Sequence, residues 1–150
     1  DWNGDGIDTV GLYSPSGAGF FLRNSNTSGI ADISFTYGGA GAGLVPLAGD
    51  WNGDGTDTIG LYFPSGAAFF LRNSNTGGIA DISFNYGGPG LVPLAGDWNG
   101  DSTDTIGLYF PAGAGFFLRN SNTSGIADIS FTYGGAGAGL VPIIGDWNGM

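Results

Sequence analysis

The thirteen residues DWNGDGIDTVGLY that begin at Asp1 return as DWNGDGTDTIGLY from Asp50 and as DWNGDSTDTIGLY from Asp97. A repeat constrains the fold more than any single residue does, because each unit must bury its apolar face against a neighbouring copy of itself. The copies run over residues 1–49, 50–96 and 97–145, and residues 146–150, DWNGM, start a fourth. The first and third copies differ only at Gly6/Ser102, Ile7/Thr103, Val10/Ile106, Ser14/Phe110, Ser16/Ala112, Leu47/Ile143 and Ala48/Ile144. The second reads GGPG where the others read GGAGAG, a shortening inside a glycine-rich stretch, where a loop accommodates changes of length. Near identity of this kind points to recent duplication or to deliberate design. In either case function is repeated along with sequence.

Within each copy, runs of β-branched and aromatic residues with period two are separated by Gly, Pro, Asn and Ser, which predicts four strands and no helix. In the first copy these are DTVGLY, with Val10 and Leu12 on one face, and GFFLRNS, with Phe20 and Leu22 on one face. ADISFTYG sets Ile33, Phe35 and Tyr37 against Asp32, Ser34 and Thr36 on the other side. GLVPLAGDW is the last, and its Pro46 marks a strand start, an edge or a bulge, because proline donates no hydrogen bond. Four strands per repeat match a propeller blade. The expectation is an all-β chain of tandem four-stranded antiparallel repeats, β-propeller-like blades, with an open β-repeat filament or solenoid as the alternative.

Charge narrows the function. All 13 acids are aspartates facing 3 arginines, a net charge of −10, and the chain has no Glu, Lys, His or Cys. Nucleic acid is excluded as a partner by the lack of clustered basic residues. Zinc and copper lose their usual ligands, and no nucleophile and base can be paired for catalysis, so no enzyme is expected. No apolar run approaches the ~20 residues of a membrane-spanning helix. The acids are concentrated in the repeated loops, where they repel one another unless a cation is shared.

Calcium takes about six to eight oxygens from carboxylates, amides and backbone carbonyls, with a glycine turning the loop between them. The pattern D-x-N-x-D-G-x-D supplies these parts. The expected ligands are Asp1, Asn3, Asp5, the carbonyl of Ile7 and Asp8 in the first copy. The second offers Asp50, Asn52, Asp54, the carbonyl of Thr56 and Asp57, and the third Asp97, Asn99, Asp101, the carbonyl of Thr103 and Asp104. Ser102 stands where the other copies have the turn glycine, so strain is expected there. The competing reading is that Asn-Gly and Asp-Gly serve only as hairpin turns, with solvated carboxylates.

These loops resemble the D-x-[DN]-x-D-G-x-x-D calcium loops of the FG-GAP repeats of integrin-type β-propellers and the related VCBS repeats of bacterial surface proteins. The resemblance implies a calcium-binding repeat module of a secreted or cell-surface bacterial protein with a structural or adhesive role. It also implies that GLVPLAGDW is the innermost strand of a blade and DTIGLY its neighbour. Two departures stand out. The family's last acid is at the ninth loop position, where this chain has Thr9, Thr58 and Thr105, and GFF and GGAG stand in for the FG and GAP tags.

With that strand order the sequence begins and stops just after an innermost strand, cut out of phase with its blades. Its expected partner is itself, as a head-to-tail dimer closing a six-bladed ring or as a filament, and the duplicated DWNG suggests a segment of a longer array. Glycans are a further candidate partner, through a shelf of Trp2, Tyr13, Phe21 and Tyr37, although aromatic residues also fill the space between blades. Arg23, Arg72 and Arg119 are expected to pair with Asp32, Asp81 and Asp128. Asn26 and Asn122 lie in glycosylation sequons that Gly77 removes from the second copy. The alternatives to a structural module are therefore a propeller lectin with one site per blade and a designed symmetric scaffold.

Overall fold

A computed structural model describes residues 1–147, so Asn148, the next oxygen-bearing residue of the expected fourth loop, lies outside the described residues. The described chain is built of strands without a helix. Strands β1 (Gly11–Ser14), β2 (Gly19–Leu22) and β3 (Ile33–Thr36) form a first sheet. The second comprises β4 (Val45–Gly49), β5 (Thr58–Phe63), β6 (Ala68–Leu71) and β7 (Ile82–Asn85), and the third β8 (Val92–Gly96), β9 (Thr105–Phe110), β10 (Gly115–Leu118) and β11 (Ile129–Thr132). All three are antiparallel meanders of sequence-adjacent strands, the tandem arrangement that period-two patterning predicts. They are not the stacked parallel coils of a β-helix.

The sheets are out of phase with the sequence repeats. β4, the last strand of the first copy, pairs with β5 of the second in the register Val45↔Tyr62, Pro46↔Leu61, Leu47↔Gly60, Ala48↔Ile59 and Gly49↔Thr58. β8 and β9 repeat that register from Val92↔Tyr109 to Gly96↔Thr105. Pro46 lies on the edge strand β4, one of the sheet positions open to proline. Neighbouring sheets come together at β4 and β8.

The core lies between sheets. Phe20, Leu22 and Tyr37 of the first copy close over Ile59 and Leu61 of the second, and Phe69, Leu71 and Tyr86 of the second close over Ile106 and Leu108 of the third. Burying a side chain of this size contributes about 1.5–3 kcal/mol, so most of the apolar stabilisation spans a repeat boundary. The approach is close enough to dictate glycine at one position. A Cβ on Gly87, whose φ is +75°, would sit 2.3 Å from Leu108 Cδ1, and Gly38 meets Leu61 in the same way at 2.5 Å. Within each sheet an aromatic row crosses three strands: Tyr62 lies 4.6 Å from Phe69, which stacks at 5.4 Å on Phe84.

Candidate functional site: the aspartate loops

The loop of residues 50–57 turns β4 into β5. Gly53 and Gly55 adopt φ of +72° and +86°, which turns successive backbone N–H groups toward one side. Asp50 receives them: its Oδ1 accepts from Gly53 at 2.8 Å and Asp54 at 3.1 Å, and its Oδ2 from Gly55 at 2.7 Å. Such a concavity of N–H groups favours an anion, and here the anion is the loop's own first aspartate. Asp54 in turn accepts from Asn52 Nδ2 and from the Thr56 N–H, both at 2.9 Å. The first and third loops repeat this network through Asp1, Asn3, Asp5 and through Asp97, Asn99, Asp101.

The electrostatics follow from those bonds. Burial works against the charge on Asp97, but the N–H groups of Ser102, Gly100, Asp101 and Asn99 outweigh it and hold the carboxyl below the ordinary value. Asp54 is held low by the Asn52 side chain and the Thr56 N–H. Ser102 adopts φ +66° where Gly6 and Gly55 have +83° and +86°, so the strain expected from the sequence is present. An L-residue in this region costs roughly 1–2 kcal/mol.

The last aspartate of each loop has a different position. Asp104 Oδ2 accepts the N–H of Asp50 at 2.9 Å, while the Asp104 N–H donates to the Asp50 carbonyl at 2.8 Å. Asp57 holds Asp1 in the same manner, its N–H donating to the Asp1 carbonyl at 2.7 Å and its carboxylate accepting from the Asp1 ammonium. Asp57 and Asp104 thus bind the preceding loop rather than turning into their own, and Asp8 stands almost fully exposed. Burial raises the Asp104 carboxyl above its ordinary value, against the pull of the Asp50 N–H, and the charges of Asp57, Asp50 and Asp97 add to the rise. Thr56 and Thr103 face the preceding loop as well, their Oγ1 atoms within 3.0 and 2.9 Å of where a Cβ would stand on Gly4 and Gly53. At the ninth position Thr58 is buried and donates to the Arg72 carbonyl at 2.6 Å, as Thr105 does to Arg119 at 2.7 Å.

For a hard cation the groups that remain on one loop are Asp50, Asn52, Asp54 and the carbonyl of Thr56, with their counterparts in the other copies. Their oxygens suit calcium in kind, and their number is below the usual six to eight. Among the described residues no three acidic side chains gather closely enough to grip a metal ion together.

Each arginine is paired as its position predicts, Arg23 with Asp32 at 3.1 Å, Arg72 with Asp81 at 2.8 Å and Arg119 with Asp128 at 3.0 Å. Sequence reasoning missed the cage around that pair. Arg72 also donates to the Ile79 carbonyl at 2.6 Å, Ser74 Oγ at 3.0 Å and Thr76 Oγ1 at 2.9 Å. The signal was the recurring NSNT after each arginine, whose hydroxyls line the cage. Asn26 and Asn122 of the sequons occupy the position of Asn75, where the amide nitrogen that a glycan would modify instead donates to the carbonyl of Asp8, Asp57 or Asp104. The caged arginine also faces the preceding repeat: Arg119 lies 6.0 Å from the Tyr86 ring centroid. Burial pushes the Tyr37 hydroxyl up to about 12, with Arg72 pulling the other way and Asp81 reinforcing it.

Of the aromatic residues considered for a sugar shelf, Tyr37 is buried and Trp2 and Tyr13 are half-buried; among their counterparts Trp51, Tyr62, Tyr86 and Tyr109 are buried, Trp98 is half-buried and Tyr133 is exposed. Phe21 and Phe117 are exposed at the middle strands. The chain matches no family model, no curated protein and no solved structure.

Proposed function

We propose that the chain is a non-enzymatic structural module of a secreted or cell-surface protein, whose repeats extend by self-association and whose loops take calcium. The observation that carries this reading is the repeat-to-repeat contact. The Asp–Asp bond pair, the Thr over the loop glycine and the Leu against Tyr and Gly all recur at both internal boundaries. Residues spent in this way serve extension of an array. The three arginines, the sole cations among the side chains, are each engaged in a cage, and no Cys, His, Lys or Glu is present to act as nucleophile or base.

Calcium enters on a second observation. Asp104 is raised by burial and by three neighbouring aspartates, so the loop face carries negative charge that no arginine offsets. The ligands would be Asp1, Asn3 and Asp5, Asp50, Asn52 and Asp54, and Asp97, Asn99 and Asp101, with the carbonyls of Ile7, Thr56 and Thr103. Asp57 and Asp104, bonded to the preceding loop, fall outside that set, whereas Asp8 stands beside Asp1 of its own loop and would join it. Bound calcium would neutralise the loop face. The test of the module reading is mass and shape by light scattering and negative-stain imaging across protein concentration. Rings or fibres of regular width are expected, and a single-chain mass at every concentration overturns it.

A further inference from the structure

The two internal boundaries form a template, and the described chain carries the two halves of a third, one at each end. Tyr37 and Tyr86 are 5% exposed beneath Leu61 and Leu108, which are 1% and 0% exposed. Their third-copy counterpart Tyr133 is 75% exposed, and the first-copy counterpart of the leucines, Leu12, is 73% exposed. Val10 and Ile7 are likewise exposed. Where a Cβ on Gly38 or Gly87 would collide with Leu61 or Leu108, one on Gly134 would meet only Leu140. Where Gly4 and Gly53 lie against Thr56 and Thr103, Gly100 has nothing within 4 Å of that position. The apolar cavity that remains, about 370 Å³, is lined by Tyr109, Phe116, Leu118, Phe131, Tyr133 and Leu140 among others.

The backbone shows the same complementarity. Among the described residues β1 is an edge strand with no neighbour on the side where β5 and β9 have β4 and β8. Residues 141–145, VPIIG, correspond to β4 and β8 yet belong to no sheet.

We infer that a second copy of this chain docks head to tail, residues 141–145 of one copy adding as the fourth strand beside β1 of the next. This rests on the self-associating reading above and fixes its surface and register. By the pairing of β4 with β5 and of β8 with β9, Val141 lies opposite Tyr13, Pro142 opposite Leu12, Ile143 opposite Gly11, Ile144 opposite Val10 and Gly145 opposite Thr9. Leu12 and Val10 enter the cavity over Tyr133 and Gly134. Ile7 covers Gly100, and Arg23, the least enclosed of the three arginines, comes under Tyr133. Asp8 exchanges with Asp97 the bond pair that Asp104 exchanges with Asp50. The seat of the incoming loop is already filled, because Trp2 lies against Gly11 as Trp51 does against Gly60. Strand addition therefore needs residues 141–145 alone and leaves the exposed Trp147 outside the joint.

The absence of cysteine makes the register directly readable. Val10→Cys and Ile144→Cys chains, mixed under mild oxidation, are expected to form a mixed disulfide dimer. Val10→Cys mixed with Ile143→Cys is not, because a one-residue slip puts the side chains on opposite faces. Leu12→Asp, at a site 73% exposed in the single chain, is expected to return the assembly to single-chain mass, with the melting temperature that the wild-type chain shows when diluted below association. Association that survives Leu12→Asp and shows no preference between the two cysteine pairs overturns this interface and leaves the module reading standing. A wild-type chain that stays single at all concentrations overturns both.

Discussion

Asp104 and Asp50 hold each other through two reciprocal bonds, the Asp50 N–H to the Asp104 carboxylate at 2.9 Å and the Asp104 N–H to the Asp50 carbonyl at 2.8 Å. The pair ties two loops through residues fifty-four apart in sequence. A carboxylate here must serve a backbone donor while burial and three neighbouring aspartates oppose its charge.

Acceptor and charge can be separated at this site. Asp104→Ala leaves the Asp50 N–H without its acceptor and is expected to cost about 1–3 kcal/mol in chemical denaturation. Asp104→Asn keeps an acceptor oxygen and removes the charge, so it is expected to be close to wild type or more stable at pH 7. Because the folded Asp104 carboxyl lies above its ordinary value of 3.8, its stabilising contribution is complete below that value and lost as pH rises through the raised one. Wild-type minus Asp104→Asn stability should fall across that window. A difference independent of pH would refute the raised titration.

Ser102 offers a gain in stability. It adopts a left-handed conformation that the other two loops assign to glycine. Relief of the roughly 1–2 kcal/mol strain, less the ~0.5–1 kcal/mol entropy cost of glycine, predicts that Ser102→Gly stabilises by up to about 1 kcal/mol. The reverse change, Gly55→Ser, should lose a similar amount. Paired thermal melts of the two variants decide this.

The contrast between Ser102 and Asp104 shows what was legible in the sequence. Turn chemistry is local, so Ser102 strain, the Phe20 and Leu22 face and the Arg72–Asp81 pair could all be read from neighbours in the chain. The role of Asp104 could not, because its partner lies in another repeat, and spacing within DWNGDSTD reports only the loop to which it belongs. One signal was present. The acid stands a place earlier than in the resembled loops, and the ninth position is a threonine whose hydroxyl is used internally. The sheet phase came from the strand order that the resemblance implies, and the structure forms it through the short loop that makes β4 and β5 a hairpin across the repeat boundary.

Arg72 tests the cage. Its guanidinium bonds Asp81, two hydroxyls and the Ile79 carbonyl from a largely buried position. Arg72→Ala leaves these groups unpaired and is expected to cost about 2–4 kcal/mol by denaturant titration. Arg72→Lys should recover less than half of that loss, since an ammonium on a flexible stem does not reproduce the planar fork. Full recovery by lysine would reduce the cage to a simple ion pair.

The boundary packing is tested at two adjacent glycines. Gly87→Ala places a methyl 2.3 Å from Leu108 in a backbone conformation that alanine avoids, and about 2–3 kcal/mol or more should be lost. Gly88→Ala meets nothing within 4 Å and should be close to neutral. Equal effects in a melting experiment would refute the close approach of the two repeats at Leu108.

Calcium decides between two roles for the third aspartate of each loop. If the loops bind through Asp50, Asn52, Asp54 and the Thr56 carbonyl, a set this small belongs with the weaker extracellular calcium modules, with dissociation constants on the order of 10⁻⁴–10⁻³ M. Saturating calcium should then stabilise the fold by about 2.7 kcal/mol per site at a hundredfold excess over the dissociation constant, seen as a higher melting temperature that a chelator reverses. Asp54→Asn should abolish the calcium response of its loop in calorimetric titration with modest loss of stability in chelator. Asp57→Ala should do the converse, because its carboxylate serves the preceding loop: stability falls in calcium and chelator alike while calcium affinity is kept. Were Asp57→Ala to weaken calcium binding as much as Asp54→Asn does, the third aspartate would be a ligand, and its contact with Asp1 would have to open when the metal enters.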